Sequence, residues 1–453
     1  MRTSITALMI VAGLAGATRA AAQTPPPAPP LPPAAPPAPG PGPAPAPAPA
    51  PAPETAPAPA PPAPPAPAAP APGAPAAAAA PGAPAAPGAP AAPGNWYDKF
   101  AVDGFVDAYG AINWNFPKPQ GPALPGSTIG GNALRAYDVA QGFSVNWAGV
   151  NVAYTSDNVG GTVGLRFGPG ATLYHVGTTD AAFGLQFVKQ AYATWKPADK
   201  ITLDLGKWDQ PYGSEVADSQ LNMNYTRSVL FQFVQPLFFT GVRFDYAPVD
   251  MFDLKLFAAN GWNNSIAINR GKTFGAQIML KPADQAIFYL GYVGGPQVAD
   301  VGIMGMAPVD NPGVNDNWRH MVDFVADINP TKELRLLLNF DYRNESHLAD
   351  MMGGLHTESA YGGNLVIRYS FTDAFYASLR GEYIHDENLD LGLGTKNVED
   401  GTLTLAYTVA SHLAFMFDNR IDFADDPIFQ TDVHPGNAKT QFTTTLGVIA
   451  STK

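Results

Sequence analysis

From Asn95 onward the chain alternates. In "FAVDGFVDAYGAINWNF" the apolar residues Phe100, Val102, Val106, Ala108, Ile112 and Trp114 fall on even positions, with Asp103, Asp107, Tyr109 and Asn113 on odd ones. Successive side chains of a strand point to opposite faces, so a period of two makes a ribbon with one face for oil and one for water. "ELRLLLNFDYR" repeats the split, with Leu334, Leu336, Leu338, Phe340 and Tyr342 opposite Arg335, Asn339, Asp341 and Arg343. "LAFMFDNRIDF" sets Leu413, Phe415, Phe417, Ile421 and Phe423 against Asp418, Arg420 and Asp422. In "FSVNWAGVNVAY" the apolar parity switches between Trp147 and Val150, which predicts a bulge.

Each segment alone fits a soluble sandwich or a barrel; the connections decide. About sixteen candidate strands start near Phe100, Phe143, Gly161, Gly184, Lys200, Phe238, Met251, Gly271, Gln285, Trp318, Glu333, Tyr361, Ala374, Asp400, His412 and Thr440. Short links ("SDNVG", "PADK", "APVD", "PADQ", "NPTK", "TDA", "ASH") alternate with long ones, including residues 117–142, 209–237, 294–317, 345–360 and 424–439. Tight turns on one rim, long loops on the other and an even strand count predict a closed antiparallel transmembrane β-barrel. Closure leaves no unpaired edge in lipid. In the "PAD"-like turns Pro presets φ and Asp caps the turn. Trp195, Tyr246, Phe252, Tyr369, Phe375 and Tyr407 lie beside the short turns, where an interfacial girdle belongs. About sixteen strands is also the size at which a lumen becomes an aqueous channel.

Two segments precede the barrel, which occupies residues 95–453. The opening "MRTSITALMIVAGLAGATRAAAQ" has an early positive charge, an apolar run and a small-residue step, which predicts a signal peptide over residues 1–22. Residues 23–94 are almost wholly Ala, Pro and Gly, with Glu54 the only charge. Such a stretch has nothing to pack and reads as a disordered or polyproline II linker, passive or in contact with a periplasmic or cell-wall partner. The formal net charge of -12 argues against a nucleic-acid partner, and the absence of cysteine excludes disulfides, a CxxC zinc site and a lipidated N-terminal cysteine.

"DLGKWDQPYGSEVADSQLNMNYTRSVLFQFVQPLFFTGVRFDY", followed in order by "AANGWNN", "GKTFGAQ", "YVGGP" and "LRGEYIHDE", resembles the OmpL-like family of β-barrel porins of Gram-negative outer membranes. The resemblance runs from about Phe100 to about Leu446 and is most specific from Gly206 to Gly241. It implies a passive diffusion channel with no catalytic residues. It also implies that the long connection after the fifth strand, residues 209–237, folds into the barrel and narrows it; the other reading is a surface loop over the mouth. In that loop Asp209, Glu215, Asp218 and Arg227 supply charge for the channel, and "VLFQFVQPLFF" supplies an apolar part for the wall. The chain departs from the family in ending "GVIASTK" where an aromatic residue would close the last strand, although Phe442, Thr444, Leu446 and Val448 still alternate.

By parity the inward face carries charges of both signs, with a small excess of acids. The pore-lining or constriction candidates are Asp204, Glu215, Asp218, Arg227, Arg243, Asp245, Arg319, Asp323, Asp327, Arg335, Asp341, Arg343, Arg368, Arg380 and Glu382. Such a wall orients polar solutes. Its bland reading is cross-strand pairing that stiffens the barrel. "RGKTFG" lacks the earlier glycine of a phosphate loop, since Ile266 stands there. "DENLDLG" has Leu391 where a calcium loop needs glycine. The expectation is therefore no enzyme, no cofactor and no metal. The sequence reads as an outer-membrane porin for small hydrophilic solutes or ions, embedded in lipid, with homo-oligomerisation open. The alternative is a plugged or narrow barrel that binds or anchors through its Ala/Pro arm.

Overall fold

A computed structural model of the chain describes residues 96–118, 131–178, 180–298, 317–349, 355–432 and 438–452. The expected signal peptide and Ala/Pro linker lie outside the described residues. The strands are β1 (Phe100–Asn113), β2 (Gly142–Thr155), β3 (Val159–Phe167), β4 (Val188–Ala198), β5 (Ile201–Asp209), β6 (Phe238–Val249), β7 (Phe252–Ala259) and β8 (Thr273–Ala283). They continue with β9 (Ala286–Pro296), β10 (Trp318–Ile328), β11 (Leu334–Ala349), β12 (Leu355–Ser370), β13 (Phe375–Asp386), β14 (Asn397–Val409), β15 (Leu413–Ala424) and β16 (Thr440–Ser451). Each pairs antiparallel with its sequence neighbours, and β1 pairs with β16, closing the barrel.

The alternation read from sequence becomes two surfaces. Leu205, Val242, Leu256, Phe274, Leu290, Leu338, Leu365, Leu379, Leu403, Phe417 and Leu446 are exposed on the outside. Such an apolar band is stable only against hydrocarbon, while the ladder satisfies the backbone. Trp195, Tyr246, Tyr369 and Tyr407 are exposed beside the short turns, at girdle height. The last strand alternates despite its non-aromatic end, with Phe442 and Leu446 exposed and Gln441, Thr443 and Thr445 buried.

The repeated short turn has a cause that the sequence reading placed slightly wrongly. The ladder register shifts between Trp195 and Ala198, between Tyr246 and Val249, and between Leu280 and Ala283. Pro197, Pro248 and Pro282 each sit inside such a bulge, where the missing amide proton costs no ladder bond. The turn itself is the following pair, Asp199–Lys200, Asp250–Met251 or Asp284–Gln285. The turn after β14 works differently: Ala410 and Ser411 both have positive φ, 52° and 64°, the backbone twist that suits a two-residue hairpin.

Two other expectations are corrected. Residues 345–360 are not a long loop: β11 and β12 stay paired up to Ala349 and Leu355. Outside the membrane both faces of a hairpin meet water, so the alternation fades while the backbone ladder continues. The bulge in β2 lies before Trp147, not after it. The register shift falls at Asn146, and Asn146 and Trp147 are both buried, whereas Phe143 and Val145 are exposed.

Candidate functional site

The connection after β5 turns back into the barrel. Its hydrogen bonds end on inward side chains around most of the wall. Pro211 O accepts from Gln277 on β8. Tyr212 Oη donates to Tyr292 O on β9 at 2.8 Å, and Gly213 N to Asp323 on β10 at 3.0 Å. Ser214 N donates to Asn339 on β11 at 3.1 Å. Farther along, Ser219 Oγ and Tyr225 Oη donate to Asp107 on β1 at 2.5 and 2.8 Å. Asn224 donates to Thr404 on β14, and Thr226 N to Asp418 on β15 at 2.8 Å. Val229 N and Leu230 N, at the start of a π-helical turn (Leu230–Val234), donate to Glu382 on β13 at 2.8 and 2.7 Å. A segment bonded to β1, β8–β11 and β13–β15 lies across the lumen, and the reading of a loop resting over the mouth fails.

The loop's charges do not face an open channel, contrary to expectation. Asp218 binds Arg166 of β3 at 2.8 Å and Lys189 of β4 at 3.1 Å. Glu215 binds Arg380 of β13 at 2.8 Å and accepts from Ser228 N. Arg227 donates to the carbonyls of Val216 and Ala217 within its own loop. All three loop residues are buried. Asp209, at the end of β5, binds Lys189 and is half-buried. The apolar part behaves as the sequence implied. Val229, Leu230 and Val234 pack with Ala360, Ile384 and Val398 of the wall and with Leu134 and Phe429 of other connections.

The wall candidates divide by height. Toward the short turns they form pairs with at least one half-exposed partner: Arg243 with buried Asp204 (2.7 Å), Lys255 with Asp245 (2.7 Å), Arg335 with Asp327 (2.7 Å). At the level of the loop they are fully buried. Asp323 and Asp341 face each other across β10 and β11, and among the described residues neither has an ion pair. Asn339 and the loop's Gly213 N bond the first, and the loop's Gln235 the second. Arg380 and Arg420 share Asp400. Toward the long-loop rim, Arg319 and Arg343 converge on Glu345 at 2.5 and 3.0 Å. Arg368 stands apart, 3.9 Å over the ring of Tyr376.

Parity missed several members. A register shift beside Leu165 turns Lys189 inward, although it shares the parity of exposed Trp195. Arg135, in the connection after β1, reaches Asp422 at 3.0 Å, and nothing in the local pattern announces it. In the connection after β3, a short helix α1 (Pro169–Tyr174) leads to His175. Its imidazole contacts Lys207, which donates to Asp180 at 2.6 Å. Burial and the neighbouring Lys207 charge hold the His175 pKa below its usual value, so the ring is neutral at pH 7.

The chain matches the model of the family described as "Putative beta-barrel porin-2, OmpL-like" over residues 99–451. Among solved structures it is similar to the outer membrane channel DcaP of Acinetobacter baumannii, with TM-score 0.51 and 11% identity over 78% of this chain and 96% of that one. It also resembles OprB of Pseudomonas putida, with TM-score 0.49 and 12% identity over 78% and 94%. An anion-selective porin from Comamonas acidovorans gives TM-score 0.48 and 11% identity over 78% and 99%. A comparison with curated protein sequences finds no match.

Proposed function

Since the chain belongs to the OmpL-like β-barrel porin-2 family, we propose that it is a passive diffusion channel for small hydrophilic solutes or ions in a Gram-negative outer membrane, narrowed by residues 210–237. The observation that carries this reading is the loop's attachment to lumen-facing groups on β1, β10, β13 and β15. A segment anchored on opposite sides of a barrel divides its cross-section, and a path between loop and wall must then run past polar and charged side chains. No catalytic role is assigned to any of them.

A second reading has its own support. Asp107, Asp418, Arg380 and Arg420 show 0% exposure, which fits a barrel plugged at this level and used for binding or anchoring. Planar-bilayer recording separates the two. A channel gives stepwise, ohmic conductance from the purified, folded chain; a plugged barrel gives none above the lipid background.

A further inference from the structure

Arginines on the inward wall come with acceptors. Arg166 binds Asp218, Arg243 binds Asp204, Arg319 and Arg343 bind Glu345, and Arg380 and Arg420 bind Asp400. Arg368 is the exception. Among the described residues it has no ion pair and no hydrogen bond, and its Nε is buried without a partner. The aromatic face of Tyr376 beneath it supplies a favourable field for a cation but no lone pair for the guanidinium N–H groups.

The surroundings make this more acute. Arg368 faces Arg335 directly across the β11–β12 ladder, a like-charge placement that is unfavourable without a shared anion. One carboxylate is at hand, Asp327, and Arg335 takes both its oxygens, at 2.9 and 2.7 Å. The other direct neighbour, Ser378 on β13, donates to Asn224 of the loop at 3.4 Å. Among the described residues the cluster therefore carries two guanidinium charges against one carboxylate. It is half-buried near the short turn 371–374, on the inward face.

We propose that Arg368, backed by Arg335, is a binding site for a small oxyanion, a carboxylate or a phosphate. Two oxygens of such a group match the N–H fork of a guanidinium, and partial burial strengthens the charge-assisted bonds beyond those of a surface arginine. Two residues farther along the same face, Leu337 and Val366 form an apolar border with Val325 and Met223, so an organic carboxylate could lay its body there. The site deepens the channel reading and depends on it only for how the anion arrives.

The test is calorimetric titration of the detergent-folded chain with inorganic phosphate and, separately, with benzoate, both at matched ionic strength. Saturable binding of at least one is expected. Arg368→Gln should weaken it about tenfold or more, Arg368→Lys should keep part of it, and Lys332→Gln in an exposed turn should leave it unchanged. Phosphate without benzoate identifies an inorganic source, and benzoate without phosphate an organic one. Absence of binding by both, or equal binding by the parent and Arg368→Gln, overturns the site. Conductance of the same sample is read independently. A conducting barrel that binds neither anion sinks the site and leaves the channel, and a binding barrel that does not conduct does the reverse.

Discussion

Arg380→Met should release the internal loop while leaving the barrel closed. Arg380 is fully buried and holds the loop at two points, Glu215 at 2.8 Å and Thr226 O at 2.6 Å. Its wall partner Asp400 keeps a second cation, Arg420, at 3.2 Å. The uncompensated charge therefore falls on Glu215, which belongs to the loop. Removing one partner of a buried pair costs about 3–5 kcal/mol. At about 1.4 kcal/mol per factor of ten, the population of undocked loop should rise by about two to three and a half orders of magnitude. The assay uses the lack of native cysteine: Met223→Cys introduces a single thiol at a loop position that is 7% exposed, packed on Val325, Leu337 and Val366. Its reaction with a soluble thiol reagent reports how often the loop leaves the wall. Labelling should accelerate by about two orders of magnitude in Arg380→Met, and most of that gain should disappear when Glu215→Gln is added, because the orphaned charge is gone. A heat-modifiable band on a detergent gel checks that the barrel remains closed. Labelling within about threefold of the parent, in a closed barrel, would refute the claim that this ion pair docks the loop.

Three further outcomes are expected. Reversal potentials in a potassium chloride gradient should show weak cation preference that fades at higher salt, since parity assigns the inward wall a small excess of acids; strong anion selectivity for chloride would contradict this. Acidification should loosen the connection that holds His175. Its folded pKa is lowered, so the unfolded chain takes up the proton first, and stability present above the unfolded value near 6.5 falls as pH drops below it. Limited proteolysis within residues 168–187 should accelerate between pH 7 and pH 5 in the parent and stay flatter in His175→Gln, whereas identical profiles would remove His175 as the cause. Deleting residues 23–94 while keeping residues 1–22 should leave heat-modifiability and conductance nearly unchanged, because Ala, Pro and Gly offer the barrel no apolar pattern to pack. Failure of that variant to insert would give the arm a role in assembly.

Deleting Ser214–Arg227 would remove the middle of the internal loop. That cut would take loop partners from Asp107, Arg166, Lys189, Arg380 and Asp418, all buried against the loop. It tests barrel integrity as much as bore, and single substitutions at the loop's anchors are the cleaner probe.

What the sequence determined by itself is what depends on local period and spacing. Lipid on one side and water on the other impose the alternation of Leu334 to Tyr342, residue by residue, and seven tight turns between long connections leave little besides a closed, even-stranded barrel. Parity therefore also sorted Asp323, Asp341, Arg335 and Arg380 to the inward face without any knowledge of their partners. It failed where the ladder slips, at Asn146 and beside Lys189, because one extra residue reverses every side chain after it. Only the tertiary structure decided the pairings: that Asp218 of the loop neutralises Arg166 and Lys189, that Glu382 caps two backbone amides of a π-helical turn, and that Arg368 is left with an aromatic ring and no acceptor among the described residues. Those contacts join residues that strand order and loop path bring together in space, and no local periodicity encodes them, since a charge of either sign satisfies the same inward, water-facing parity.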